Sequence, residues 1–429
     1  MLSIVCNKKN TKDILKLQWK GIMIMERIIL HCDINNCYAS IECAENPDLK
    51  GKPIAVCGDS EQRHGIVLAK SQEAKKYGVQ TGETIWQAKL KCPSLITIKP
   101  HFDTYLKYSK SVRDIYYRYT DKIESFGLDE CWLDVTGSTK LFGTGEEIAH
   151  MIRETVQSEL GITVSVGVSF NKVFAKLGSD LKKPNAVTII DKKSFKKIVW
   201  PLPADYLMGV GRKTMRILNS MYIKTIGDIA KESPERLQKN LGKSGLQLWE
   251  YANGLEKSPI SDCDFSSPVK SIGHGITTPT DLKNNDEAWH LIFALSETIG
   301  KKLRSNRLAA SGIQISIRDN NFKNREFQCV LPTPTQSSLA ISRQAFALFS
   351  NKYDWTNDVR SISVRAINLV PYGTPYQLDI WGSAQEINKL EMIENTMDKL
   401  QYRFGDNVVN YAMIMYDRGH YAFDEKKAR

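Results

Sequence analysis

The sequence lacks the features that would mark a membrane, secreted or zinc-binding protein. Its 429 residues contain no apolar run long enough to span a membrane. The first residues do not combine the charged, apolar and small-residue segments of a secretory signal. The nine cysteines are scattered, without the spacing of a zinc site or a disulfide framework. These absences favour a cytoplasmic protein with no membrane partner.

Acidic residues are outnumbered by basic ones. The chain has 59 Lys and Arg residues against 48 Asp and Glu residues, which gives a formal net charge of +11. This excess favours a polyanionic partner such as a nucleic acid. Hydrophobic residues make up 42% of the chain, as in ordinary globular proteins, and the length predicts two to four domains.

The segment Glu124–Thr136 places two adjacent acids, Asp129 and Glu130, within an apolar and aromatic run. Buried neighbouring anions repel each other and lose hydration, so a cation must compensate them. The nearest upstream lysine is Lys122, but Mg²⁺ suits hard oxygen ligands better. Adjacent side chains of a straight strand point to opposite faces, so both acids serve one site only if the chain bends, which Gly127 permits. An acidic surface turn is the alternative.

A third acid, Asp33, ends the apolar run 27–33, which predicts a buried strand. The residues that follow predict a helix, so Asp33 is favoured as its N-cap. If Asp33 instead lies on a strand beside Asp129 and Glu130, the three carboxylates could hold two divalent ions. Such a pair of ions stabilises the attacking and leaving oxygens of a phosphoryl transfer.

A series of short motifs follows in a fixed order along the chain. They are Asp33…Tyr38-Ala-Ser-Ile-Glu42, Gly51-Lys-Pro, Gly65-Ile-Val-Leu-Ala, Glu73-Ala-Lys-Lys-Tyr-Gly-Val79, Leu128-Asp-Glu, Leu133-Asp-Val-Thr136, Ser165-Val-Gly-Val-Ser, Asn171-Lys, Ala175-Lys-Leu and Lys183-Pro-Asn185. This order resembles the Y-family translesion DNA polymerases of the DinB/UmuC type. The resemblance extends from Met25 to about Trp381.

The resemblance implies roles for residues near the acids. Asp33, Asp129 and Glu130 match the catalytic acids that bind two Mg²⁺ ions together with the dNTP triphosphate and the primer 3′-hydroxyl. Tyr38 matches the steric gate, an aromatic ring that lies where a ribose 2′-hydroxyl would go. Cys37 replaces the aromatic residue that usually precedes the gate, which would loosen that wall.

The resemblance also implies contacts with the triphosphate. The family pattern Tyr-Glu-Ala-Arg is Gln72-Glu-Ala-Lys75 here, and Ala69 stands where many members have a hydroxyl. Lys75 supplies a point charge but not a two-pronged guanidinium contact, and Gln72 keeps a donor but loses the ring. These departures affect nucleotide affinity rather than the type of reaction. Lys183 matches a lysine that the family uses on the triphosphate.

Two further regions match DNA-binding parts of the family. Gly209 and Gly211, followed by Arg212 and Lys213, form a helix-hairpin-helix pattern, in which backbone N–H groups and a helix N-terminus approach a phosphate. A plain helical turn is the alternative interpretation.

Beyond residue 269, strands in which apolar and polar residues alternate, together with two helices, predict a sheet with one apolar face. The resemblance identifies this unit as the little finger. Its polar face, with Arg318 and Arg365, could lie on DNA phosphates, and a solvated face is the alternative.

The end of the chain predicts a partner contact. Gln377, Leu378, Ile380 and Trp381 resemble the short peptide by which these polymerases bind the sliding clamp (beta clamp). After it, an apolar stripe from Ile387 to Phe404 predicts a helix that ends at Gly405. A tail after an internal clamp motif is more similar to the UmuC branch and its Gram-positive relatives than to a minimal DinB enzyme.

The predicted fold class is a multi-domain α+β protein, a right-hand polymerase with palm, small fingers, helix-hairpin-helix thumb and α+β little finger. The predicted domains are an N-terminal extension (1–24), palm (25–36 and 103–190), fingers (37–102), thumb (191–258), linker (259–268), little finger (269–376) and a clamp motif with a helical tail (377–429).

The predicted function is error-prone, template-directed DNA synthesis past damaged bases, by a monomer in the cytoplasm, associated with the nucleoid. Its substrates would be primer-template DNA and dNTPs. A non-catalytic scaffold that binds DNA and the clamp is one alternative, against which the three acids argue. A palm-domain nucleotidyl cyclase is another, against which the helix-hairpin-helix and little-finger regions argue.

Overall fold

The computed structural model describes residues 26–59, 65–262, 268–376, 383–405 and 408–412. They form two compact units. The first comprises the described residues up to 57 and from 67 to 262, and the second comprises those from 268 onward, with which residues 58, 59, 65 and 66 are grouped. Among the described residues, no helix is both long and apolar enough to cross a membrane.

The first unit contains eight strands and twelve α-helices within its described residues. The strands are β1 (Ile29–Ile34), β2 (Ile54–Cys57), β3 (Val67–Lys70), β4 (Ile96–Ile98), β5 (Ile123–Phe126), β6 (Glu130–Asp134), β7 (Val164–Ser169) and β8 (Val187–Ile190). The helices are α1 (Cys37–Glu45), α2 (Gln72–Lys76), α3 (Ile85–Lys91), α4 (Phe102–Tyr116), α5 (Thr139–Phe142), α6 (Gly145–Leu160), α7 (Lys172–Leu181), α8 (Phe195–Val199), α9 (Arg212–Ser220), α10 (Ile226–Lys231), α11 (Pro234–Leu241) and α12 (Lys243–Ala252).

The main sheet has the order β5-β6-β1-β7-β8 and places β1 at its centre, antiparallel to both β6 and β7. Side chains alternate along β1. Leu30, Cys32 and Ile34 pack into a core with α4 and α6. His31 and Asp33 therefore lie on the other face, where His31 contacts α7 through Ser179. A smaller sheet has the order β3-β2-β4.

Helix α7 lies unusually close to the main sheet. A Cβ atom added to Gly167 in β7 would come within 1.9 Å of the carbonyl oxygen of Ala175. One added to Gly178 would lie 3.1 Å from the Cα of Gly167. The two glycines thus allow the helix backbone to approach the strand, which brings the side chains of α7 beside β1.

The linker predicted to begin at residue 259 is held on the first unit at its start. Lys172 in α7 donates to both carboxylate oxygens of Glu124, at 2.7 and 2.6 Å, and to the carbonyl of Pro259 at 3.1 Å. Ile260 is buried in a cluster that includes Trp132. This part of the linker is therefore packed, although its composition is polar.

The second unit is an antiparallel sheet in the order β11-β10-β12-β9, covered on one face by two helices. Its strands and helices are β9 (Ser271–Leu282), α13 (Asn285–Ser305), β10 (Leu308–Asp319), β11 (Asn324–Thr335), α14 (Ser338–Lys352), β12 (Val359–Pro371) and α15 (Ser383–Phe404). The predicted α+β arrangement is confirmed: the isoleucines of β10 and the apolar side of β12 pack against α13 and α14.

The predicted C-terminal helix is present as α15, but a polar face holds it to the second unit. Glu394 is 2% exposed and accepts hydrogen bonds from the backbone N–H groups of Ser338 and Leu339 at the start of α14. It also binds Arg304 at 2.7 Å. On the predicted apolar stripe, Phe404 is exposed. Buried carboxylates that receive donors therefore contribute to the attachment of this helix, beside the partly buried members of its apolar stripe.

Candidate active site

Two of the three predicted acids lie opposite each other on neighbouring strands. Asp33 in β1 is the cross-strand partner of Glu130 in β6, so both side chains project from the same face of the main sheet. The N-cap position of α1 belongs to Asn36. The prediction of Asp33 as a helix cap is therefore wrong, because β1 continues to Ile34 and the helix begins only after a two-residue turn.

Asp129 lies in the turn that joins β5 to β6. Gly127 has φ +87°, a left-handed conformation that glycine adopts without strain. The pairing resumes between Phe126 and Glu130, and the carbonyl of Asp129 accepts a hydrogen bond from the backbone N–H of Ile34 at 3.0 Å. The predicted bend at Gly127 is confirmed, and it brings two consecutive acids to the end of the strand.

Lysines from α7 and the loop after it compensate these acids. Lys183 Nζ lies 2.6 Å from Asp33 Oδ2 and 2.7 Å from Asp180 Oδ1. Lys176 Nζ donates to Glu130 Oε2. In the sequence, Lys122 is the nearest upstream cation, and Lys176 stands in the motif Ala175-Lys-Leu, which does not reveal its contact with Glu130. The close approach of α7 to β7, which the glycine spacing alone does not reveal, brings these cations to the acids.

The three carboxyl groups have different pKa values because their surroundings differ. Burial raises the pKa of Asp33 to about 6, although Lys183 opposes the shift. Burial, together with the neighbouring Glu130, also raises the pKa of Asp129. For Glu130, burial acts upward too, but the close approach of His31 and the ammonium group of Lys176 outweigh it and lower the pKa to about 2. Glu130 is thus stabilised in its ionised form, whereas burial penalises the ionised form of the other two acids.

His31 is a buried neighbour of the acids that the sequence reasoning did not single out. Its Nδ1 atom lies 2.8 Å from Ser179 Oγ, and its Nε2 atom lies 3.2 Å from Glu130 Oε2 without an aligned hydrogen bond. The ring also packs edge-on against Trp132. Burial lowers the pKa of His31. In the sequence, His31 stands in an apolar strand and cannot be told from an ordinary core histidine.

The donor set suits a hard divalent ion, although its present arrangement is not a finished metal cluster. Within the described ranges, no three His, Cys, Asp or Glu side chains are grouped so that they could hold a metal. The ammonium groups of Lys176 and Lys183 lie on the carboxylates instead. Two buried acids with raised pKa values favour an added positive charge, and carboxylate oxygens are the ligands that Mg²⁺ prefers. The residues therefore fit a divalent metal in their chemistry.

The residues of the predicted nucleotide pocket lie on two helices. Tyr38 is partly exposed in the first turn of α1, beside the buried Cys37. Gln72 and Lys75 lie on α2, whose N-cap Ser71 accepts a hydrogen bond from the N–H of Ala74. The structure also identifies a cationic neighbour of Lys75.

Lys70 in β3 donates to Thr81 at 3.2 Å, and burial and the charge of Lys75 lower its pKa. The pair forms a local concentration of positive charge in the part of the first unit that carries α2.

The predicted helix-hairpin-helix glycines form a turn ahead of α9. Gly209 has φ +94°, and Gly211 is the N-cap residue of α9. A Cβ atom at Gly211 would meet nothing within 4 Å, so its backbone is open to a ligand. Arg212 and Lys213 are exposed in the first turn of the helix.

In the second unit, Arg318 and Arg365 are exposed on the polar face of β10 and β12. The guanidinium carbon Cζ of Arg318 lies 5.0 Å from the centroid of the Phe322 ring. The clamp-motif residues Gln377, Leu378, Ile380 and Trp381 lie outside the described residues.

Comparisons with known proteins agree with this arrangement over most of the chain. Residues 32–180 match the impB/mucB/samB family, and residues 269–380 match the C-terminal domain of that family. Residues 205–256 match the DNA polymerase-iota thumb domain.

DNA polymerase IV of Acetivibrio thermocellus is 49% identical over 395 residues, which cover 92% of this chain and 99% of that protein. DNA polymerase IV of Clostridium acetobutylicum is 33% identical over 397 residues, with 91% and 99% covered. A solved Y-family DNA polymerase chimera matches with a TM-score of 0.72 and 26% identity, over 80% of this chain and 99% of that one.

Cross-strand acids beside lysines, together with similarity to template-copying enzymes over most of the chain, define a DNA-directed DNA polymerase of the translesion type. The chain belongs to the Y-family of DNA polymerases, and its mixed α/β sheets and helix-hairpin-helix thumb are those of that family. Membership implies a divalent metal requirement, with DNA and dNTPs as substrates. The Acetivibrio relative matches over 92% of this chain, so its alignment extends beyond Trp381 into the tail.

Proposed function

We propose that Asp33, Asp129 and Glu130 hold two Mg²⁺ ions at the end of the main sheet and carry out primer extension past damaged template bases. The observation that supports this most directly is the cross-strand pair Asp33 and Glu130, each of which binds an ammonium group at an edge where Asp129 adds a third carboxylate. When bound, two such ions stabilise the attacking and leaving oxygens of an in-line displacement.

The lysines would exchange partners when substrate binds. Lys183, now on Asp33, would turn to the triphosphate, and Lys176 would release Glu130. Each release exposes a carboxylate where added positive charge is favourable, so nucleotide and metal binding reinforce each other. Lys75 would add a point charge to the phosphates, with Gln72 as a neighbouring donor.

Tyr38 would select the sugar. Its ring would exclude a ribose 2′-hydroxyl by contact, while the smaller Cys37 leaves more room on one side. Replacement of Tyr38 by alanine should admit ribonucleotides, and unchanged discrimination between dNTPs and rNTPs would refute the assignment.

DNA would be held through its backbone by both units. The exposed glycines Gly209 and Gly211, with Arg212 and Lys213, would bind phosphates at the N-terminus of α9. Arg318 and Arg365 would do the same on the second unit. Contacts of this kind fix position without reading sequence, which suits an enzyme that must accept damaged templates.

Beyond DNA, we assign the segment Gln377, Leu378, Ile380 and Trp381 to the sliding clamp, on its sequence alone. The enzyme would act as a monomer, in the cytoplasm at the nucleoid, where its DNA substrate is found. The domain boundaries given above remain part of this proposal.

The test is Mg²⁺-dependent primer extension on an undamaged template and on one with an abasic site. Asp129→Asn/Glu130→Gln should abolish extension on both, whereas the exposed control Asp121→Asn should not. Binding of Mn²⁺, followed by electron paramagnetic resonance, should weaken in the double variant. Extension that survives the double substitution would refute the site. DNA binding without extension by the wild type, even with the clamp added, would instead favour a scaffold.

A further inference from the structure

The ring of Tyr38 lies on a second tyrosine rather than in solvent. Tyr105 in α4 stacks parallel to it, with ring centroids 4.4 Å apart and an interplanar angle of 12°. Phe102 meets Tyr38 edge-on, with centroids 6.0 Å apart. Tyr105 is completely buried. The plane of the Tyr38 ring is therefore set by the place at which Tyr105 is held.

A buried carboxylate holds Tyr105. The phenol of Tyr105 donates to Glu42 Oε1, and Nδ1 of His101 lies 2.9 Å from the same oxygen. Glu42 is 8% exposed, so these partners replace the water that a carboxylate would otherwise bind. Burial and the hydrogen bond to Glu42 raise the pKa of Tyr105, which keeps the phenol protonated and able to donate.

These contacts close a loop between two helices. Tyr38 and Glu42 are four residues apart on α1, so they lie on one side of that helix. Tyr105, on α4, touches both of them, one through its ring and the other through its hydroxyl. A movement of the hydroxyl therefore shifts the surface on which the Tyr38 ring rests.

The same two helices share a second bridge, which serves as a natural control. The hydroxyl of Tyr108 donates to Glu45 Oε1 at 2.8 Å, about one turn along each helix from the first bridge. Within the described residues, the aromatic rings that pack on Tyr38 are those of Phe102 and Tyr105. The Tyr108 bridge thus contributes to the spacing of the helices without touching the gate.

We propose that Tyr105 and Glu42 are positioning residues for sugar selection, because they fix the plane of the Tyr38 ring. This inference rests on the proposed role of Tyr38 as the steric gate. A ring excludes a 2′-hydroxyl only if it cannot yield to the contact. Without the hydrogen bond to Glu42, the stacked pair can tilt or slide away from the sugar, and ribonucleotides gain access.

The test compares insertion efficiency, kcat/KM, for a dNTP and the matching rNTP on one undamaged template. Tyr105→Phe keeps the ring and removes the hydroxyl, and Glu42→Gln removes the charged acceptor. Each should lower the dNTP/rNTP selectivity about three- to tenfold, a fraction of what a hydrogen bond to a charged group can contribute. Tyr108→Phe and Glu45→Gln should leave the selectivity at the wild-type value.

The outcomes separate the inference from the assignment on which it rests. Unchanged selectivity in Tyr38→Ala would refute the assignment of Tyr38 as the steric gate. Relaxed selectivity in Tyr38→Ala but wild-type selectivity in Tyr105→Phe would overturn the positioning role alone. Equal relaxation in the Tyr108→Phe control would also overturn it, because general helix spacing would then be the cause. If Glu42→Gln does not fold, Tyr105→Phe carries the test, since it preserves the stacked ring.

Discussion

Replacement of Asp33 by asparagine should stabilise the first unit while it abolishes DNA synthesis. Burial raises the pKa of Asp33 from its ordinary value of 3.8 to about 6. Since the folded-state pKa exceeds the unfolded-state value, the ionised carboxylate costs folding free energy. That penalty is absent below pH 4, grows as the pH rises and is complete above pH 6.

The size of the penalty follows from the two pKa values. One pKa unit corresponds to about 1.4 kcal/mol, so ionisation of Asp33 costs about 1–2 kcal/mol at pH 5.0 and about 3 kcal/mol at pH 7.5. The favourable interaction with Lys183 is already contained in the pKa. An asparagine carries no charge at either pH, so its advantage should grow by about 1 kcal/mol between them.

The measurement is urea unfolding of Asp33→Asn and wild type at pH 5.0 and pH 7.5, in EDTA so that no divalent ion binds the carboxylates. The change with pH, unlike the absolute gain, is insensitive to how well the new amide is hydrogen-bonded. The exposed Asp114→Asn serves as the control, and its difference in unfolding free energy from the wild type should be the same at both pH values. An advantage for the variant that is equal at the two pH values, or larger at pH 5.0, would refute the reasoning.

Two further substitutions test the packing. Gly167→Ala should destabilise the first unit by at least about 2 kcal/mol, because the new methyl group would meet the Ala175 carbonyl at 1.9 Å; an unchanged melting temperature would contradict this. Glu394→Ala should destabilise the second unit by about 3–5 kcal/mol, because it removes a partner of the buried Arg304. As a control, Glu386 forms an exposed ion pair with Arg343. Its replacement by alanine should cost no more than about 1 kcal/mol of stability in the same calorimetric scan.

The local pattern of the sequence was sufficient for most elements. The alternating residues of β10 and the bend at Gly127 follow from periodicity and turn chemistry, which act over a few residues. On the same local basis, Asp33 taken alone was interpreted as a helix cap, which is wrong because its place within β1 depends on strand pairing with β6. Pairing joins residues about a hundred positions apart, and a local pattern does not contain it.

The partners of buried polar groups were the least predictable part of the site. Lys176 meets Glu130 because α7 lies against the sheet, His31 meets it because β1 pairs with β6, and Glu394 reaches the start of α14 across the second unit. In each case the sequence shows an ordinary charged or polar residue. Which donor satisfies which acceptor is decided by tertiary packing.

The placement of α7 connects the chemistry of the site to its stability. This helix carries Lys172 to Glu124, Lys176 to Glu130 and Ser179 to His31. Its approach depends on glycine at a position where any larger residue would meet backbone. The three acids can therefore lie close together because a neighbouring helix brings positive charge to them. An inert hydrophobic cover over the same sheet would leave the carboxylates without compensation, and it could not make the exchange for metal and nucleotide proposed above.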